Sequence, residues 1–181
     1  MVEKSQLNER DAYVQRGEAI DELGFTYKRL LRLIPALFRR APEPGIAEVL
    51  KKQHVVDVHT NARLSHVAMD IGQPPDPCPC KEADALLTDV YHADRAGATP
   101  LARSVGIVHA LKAVRIRLIR IWGRLIGAFN PSVGRDSSAP KEAATAQQQE
   151  AAQHRQLSEF SNELEDRKHD ERGNEGGRRT A

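Results

Sequence analysis

Aromatic residues make up only 4% of this 181-residue chain, and it holds two cysteines and one tryptophan. A core so poor in Phe, Tyr and Trp must rest on Leu, Ile, Val and Ala, which suits helices better than a β-sandwich. Cys78 and Cys80, with one proline between them, cannot make a disulfide framework. No stretch reaches the ~18 uncharged apolar residues of a membrane-spanning helix. Residues 1–22 are charged throughout and do not read as a signal peptide. The expected location is therefore the cytoplasm of a bacterial cell. Charge of one sign is lacking too: the net charge is +2, which gives no argument for nucleic acid. There is no Gly-rich phosphate loop, nucleophile elbow or His-Glu-x-x-His motif, so a non-enzymatic protein is favoured. No internal repeat is visible.

What is present is ordinary for a globular chain: 40% hydrophobic and 29% charged residues, enough for one domain with a real core. Four segments carry helical periodicity. Over 21–40, Leu23, Tyr27, Leu30, Ile34 and Leu37 recur at three- to four-residue spacing, with Pro35 expected to kink the helix. A second helix over 44–71 places Ile46, Val49, Leu50, Val56, Leu64, Val67 and Ile71 on its core face, with Gln53, Asp57 and Thr60 among them. It should stop at Gly72, before Pro74 and Pro75. A short helix over 81–93 precedes a third main helix over 101–130. A linker containing Pro131 and Gly134 leads to a fourth, over 140–165, with a sparse face of Ala143, Ala146, Leu157 and Phe160. The organisation expected is an N-terminal helical extension over 1–20, an antiparallel four-helix bundle over 21–165, and a disordered charged tail over 166–181.

Ionisable groups on the core faces are the candidate site. Asp57 lies between Leu50 and Leu64, Glu150 between Ala146 and Leu157, and Arg115 shares a face with Ile119, Trp122 and Ile126. Tyr27 is the polar member from the first helix. An unpaired buried charge costs several kcal/mol, so Arg115 should pair with Asp57, Glu150 or both. The alternative is that one of these groups snorkels out at a helix end. His54 and Asp57, three residues apart, have a spacing compatible with two metal ligands, and His154 lies one turn after Glu150. His59 and His66 fall on the face opposite the core, and His92 and His109 have no placed partner. The Cys78-Pro-Cys80 loop offers two thiols, too few for a tetrahedral zinc site. The third main helix has no acidic residue from 107 to 129, and its stripe of Arg117, Arg120 and Arg124 suggests either pairing within the bundle or an anionic membrane or acidic partner.

The runs YKRLLRLIPAL, PGIAEVLKKQHVVDVHTNARLSHVAMDIGQPP and WGRLIGAF, with the Cys-containing loop, resemble the YciE/YciF family of ferritin-like, stress-associated bacterial proteins. The resemblance runs in one consistent order over residues 21–161. It implies a ferritin-like fold, a stress-response role and metal-holding carboxylates from all four helices. At the matching positions this chain has Tyr27, Val56, Arg115 and Leu118, and only Glu150 is acidic, with Asp57 one residue from a lost carboxylate. The di-metal site is thus expected to be degenerate. The alternative is iron or manganese on a reduced set of His54, Asp57, Glu150 and His154. A homodimer is a possible assembly, since ferritin-like bundles often associate.

Overall fold

The computed structural model describes residues 2–76, 78–97, 99–129 and 137–178. These residues form five helices and no strand: α1 (Val2–Arg39), α2 (Pro44–Asp70), α3 (Lys81–Ala96), α4 (Pro100–Gly127) and α5 (Ala139–Arg178). The linker residues Pro131 and Gly134 lie outside this set.

The periodicity of α1 translates directly into packing. Leu23, Tyr27, Leu30, Ile34 and Leu37 are all fully buried. The buried face also extends upstream to Ile20, Ala19 and Arg16, so the helix crosses residue 20 without a break and its earlier part joins the core. Pro35 sits inside α1, which continues to Arg39. Arg39 Nε and Arg40 Nε donate to the carbonyls of Pro35 and Ala36, giving acceptors of the last turn a partner.

Local chemistry fixes the other boundaries. Pro44 opens α2, where its missing amide costs nothing. Gly72 closes the helix at φ 67°, with its amide on Met69 O and that of Gln73 on Ala68 O. This paired pattern is a Schellman cap, and it needs the left-handed backbone that glycine supplies without strain. Thr99 caps α4 by accepting from the Ala102 amide at 3.1 Å, with Pro100 following. At Gly97 a Cβ would lie 2.5 Å from Arg103 N, so the turn from α3 into α4 is too close for any other residue. Asp70, at the end of α2, accepts from Ser137 Oγ, Ser138 Oγ and the Ala139 amide, and so caps the start of α5. The Ser137 hydroxyl, followed by the other donors, holds the Asp70 carboxyl below its ordinary value.

The helices meet in a ring of pairs: α1 against α2, α2 against α5, α5 against α4 and α4 against α1. Helix α3 lies outside the ring, against α4 and more lightly against α1. Leu23, Leu30, Leu50, Leu64, Leu111 and Leu157 are among the side chains that fill one continuous core. Two expectations require correction. Helix α3 runs three residues further, to Ala96. More consequentially, α5 does not end near residue 165 with a disordered tail after it; it remains helical to Arg178, while 179–181 lie outside the described residues. Leu164 is buried, and Arg167 forks onto the Glu43 carboxylate at 2.9 and 3.3 Å. These contacts with the start of α2 anchor a segment whose composition alone reads as solvated. No described helix is long and apolar enough to cross a membrane.

Candidate functional site

Inside the ring of α1, α2, α4 and α5 lies a cluster of polar side chains with no exposure to solvent. Each of the four helices contributes. On α2, the face that carries Ile46, Leu50 and Leu64 also carries Gln53, Asp57 and Thr60, all of them buried. On α4, Arg115 sits among Leu111, Val114, Leu118 and Trp122. Tyr27 comes from α1 and Glu150 from α5, both fully buried.

Arg115 is the hub. Its Nη1 donates to Asp57 Oδ1 at 2.5 Å and its Nη2 to Asp57 Oδ2 at 3.0 Å, a bidentate fork on one carboxylate. The same Nη1 reaches Glu150 Oε2 at 3.2 Å, and Nε donates to Gln53 Oε1 at 3.0 Å. On the far side of Glu150, Oε1 accepts the Tyr27 hydroxyl at 2.7 Å. That hydroxyl in turn accepts Trp122 Nε1–H at 2.9 Å. The chain of contacts therefore runs Trp122–Tyr27–Glu150–Arg115–Asp57, with Gln53 as a side branch. Thr60 continues the polar stripe on α2, donating to Val56 O and meeting Gln149 Oε1 at 3.4 Å.

The charges do not balance when both carboxylates are ionised: one guanidinium faces two anions. Glu150 bears the imbalance. Its burial pushes the carboxyl above its ordinary value, the Arg115 cation pulls it back, and repulsion by Asp57 raises it further. Tyr27 is held well above the ordinary phenol value, first by burial and then by the Glu150 charge, so it stays a neutral donor. For Arg115, burial works against the charge, but the Asp57 and Glu150 carboxylates outweigh it and hold the guanidinium more firmly protonated. The cluster is a fixed internal ion pair with a third, proton-sensitive carboxyl attached.

The expected polar set of Tyr27, Asp57, Arg115 and Glu150 is thus brought together, and none of them snorkels to solvent. Trp122 and Gln53 complete it. Trp122 carried a signal, since it stands two turns after Arg115 on α4, and Gln53 stands one turn before Asp57. The histidines behave differently. His54 is half-buried beside the Phe38 ring, centroid to centroid 6.3 Å, and its Nδ1 has no hydrogen-bond partner among the described residues. His154 is pulled below its ordinary value by partial burial and by Lys112. His59 and His66 are exposed, as their positions on α2 require. His109 meets Ser161 Oγ at 3.3 Å and Glu165 at 4.0 Å.

These residues do not fit a metal centre as arranged. Among the described residues no three His, Cys, Asp or Glu side chains stand together as a ligand group. Asp57 has both oxygens on Arg115, and Glu150 has one on Arg115 and one on Tyr27. A cation brought to these carboxylates would meet a guanidinium already there and be repelled by it. Cys78 and Cys80 are free thiols, and Cys80 Sγ lies 3.8 Å from Arg117 Nη2.

The basic stripe of α4 is largely matched from within. Arg117 pairs with Glu22 of α1 and Glu82 of α3, and Arg124 also pairs with Glu22. Arg120 remains exposed at the surface.

No family model and no curated protein matches this chain. Among solved structures it is similar to YcfI from Rhodopseudomonas palustris, described as "a putative structural protein". The two are 19% identical over 77% of this chain and 88% of that one, with a TM-score of 0.69. That likeness speaks for the helical fold.

Proposed function

We propose that the chain is a ferritin-like protein, an antiparallel four-helix bundle of α1, α2, α4 and α5, with a non-enzymatic, structural role of stress-response type. The cyclic order of helix contacts supports the bundle, as does a polar cluster drawn from one residue or more of each helix. The observation that carries the functional reading is the guanidinium of Arg115, forked onto Asp57 and shared with Glu150 at the centre of the ring. In a carboxylate bundle that holds metal, inward carboxylates are neutralised by the ion. Here a covalently attached cation supplies the neutralisation, so the fold keeps its buried acids and loses the open coordination positions that redox chemistry needs. The description of YcfI as structural lends support to the non-enzymatic part. The stress-response part rests on the resemblance to the YciE/YciF family.

Metal analysis of the purified protein, followed by titration with Fe(II) and Mn(II), tests this reading. The expected result is no tight stoichiometric ion, and no change in binding when Asp57→Asn or Glu150→Gln is introduced. One or two ions per chain, lost in either variant, would overturn it in favour of a working metal protein.

A further inference from the structure

Helix α3 leans on α4 and leaves an open groove of about 400 Å³ against α1. Its floor is apolar, formed by Leu33 and Ala36 of α1 and Leu87 of α3, with the Tyr91 ring along one wall. Arg29 and Arg40 also line it, and each is bound to an acid of α3: Arg29 to Asp84 at 2.8 Å and Arg40 to Asp94 at 3.3 Å. At ~1.5 Å of rise per residue these two arginines stand roughly 16 Å apart along α1. Between them Arg32 lines the same groove, exposed and without an ion-pair partner among the described residues. The lining thus combines an elongated apolar floor with one uncompensated positive charge.

We propose that this groove binds an aliphatic monocarboxylate, its chain along Leu33, Ala36 and Leu87 and its carboxylate on Arg32. The charge count selects the ligand. A cation meets a net positive rim, and a polyphosphate finds only one free arginine because Asp84 and Asp94 occupy the other two. A single anionic head matches Arg32, whose planar guanidinium receives a carboxylate through two parallel hydrogen bonds. The volume lies within the usual range for small-molecule sites, and the mixture of apolar floor and one placed polar group is what such sites share.

The test is calorimetric titration of the full-length protein with decanoate below its micelle range. Saturable binding of one decanoate per chain is expected, weakened about tenfold or more by Arg32→Gln, weakened less by Arg32→Lys, which keeps the charge and loses the planar fork, and abolished by Thr88→Trp, which fills the groove from one of its lining positions. Circular dichroism of each variant separates lost binding from lost folding, and Arg32 is exposed enough to be replaced without disturbing the core. Decyltrimethylammonium, with the same tail and opposite charge, is not expected to compete. The proposal is overturned if decanoate fails to saturate, if Arg32→Gln binds as well as the parent, or if the ammonium competes equally. It is also overturned if the protein ignores decanoate yet binds anionic phosphatidylglycerol vesicles, since the arginines then read a lipid surface.

Discussion

Tyr27 and Glu150 are 123 residues apart in the chain, yet the phenol of one donates to the carboxylate of the other at 2.7 Å in the centre of the protein. The bond links α1 to α5, two helices whose own contacts run mainly to α2 and α4. It also couples the hydrogen-bond chain from Trp122 to the ion pair of Arg115 and Asp57. Because the protein has a single tryptophan, and its indole donates into this chain, intrinsic fluorescence reports on the cluster directly.

Removing the phenolic oxygen breaks both links at once. Tyr27→Phe leaves Trp122 Nε1 and Glu150 Oε1 buried without their partner, at a cost of about 1–3 kcal/mol for each group left unsatisfied. Urea unfolding is expected to show a lower midpoint with an unchanged slope. The native-state emission of Trp122 should shift as well. An unchanged midpoint and an unchanged spectrum would mean that the Tyr27 hydroxyl contributes nothing to the cluster.

Arg115 is the most sensitive position. Arg115→Leu strands Asp57 and Glu150 together in the core, and breaking a buried pair in this way costs about 3–5 kcal/mol. Replacing all three, with Asp57→Leu, Arg115→Met and Glu150→Leu, removes the charges along with the partner and should recover most of the loss. Chemical denaturation of the single and triple variants is the comparison. If the triple variant is no more stable than Arg115→Leu, the damage comes from lost volume and not from uncompensated charge.

The third expectation concerns pH. Burial, followed by the opposing pull of Arg115 and the push of Asp57, leaves Glu150 with a folded-state value above its ordinary 4.5. Between 4.5 and that raised value the folded chain binds more protons at Glu150 than the unfolded chain does. The Glu150 contribution to stability is therefore fully present below 4.5, and it is lost as pH rises through the raised value. Glu150→Gln stays neutral at every pH and should lack this decline. Unfolding midpoints from pH 4.5 to 8, parent minus variant, should fall as pH rises; a difference that grows with pH would contradict the assignment.

Much of this was legible in the residues themselves. The 3–4 spacing of Leu23, Tyr27, Leu30, Ile34 and Leu37 marks α1, and all five are buried. Asp57, Arg115 and Glu150 each interrupt an apolar stripe, which leaves either a buried pairing or snorkelling at a helix end, and the contacts of Arg115 decide for the pairing. What was not legible is equally specific. The continuation of α5 carries a contact, Arg167 on Glu43, between residues far apart in sequence, and the same charged composition suits a solvated helix or an unstructured tail. Gln153 is buried with neither amide atom hydrogen-bonded among the described residues, an arrangement that helical spacing does not announce. The groove between α1 and α3 arises from how α3 leans, which periodicity does not encode.

The position of Arg115 has a consequence for how the helices find their alignment. Leucines slide past leucines at little cost, so an apolar seam tolerates a shift of one turn. A guanidinium does not: moving α4 by one turn, about 5.4 Å, would carry Arg115 off Asp57 and Glu150 together and strand three charges at once. Since Trp122 of α4 donates to the Tyr27 hydroxyl, the same displacement is also resisted from α1. Arg115 thus makes the mutual offset of α2, α4 and α5 an all-or-none choice, which a core of interchangeable aliphatic side chains cannot impose by itself.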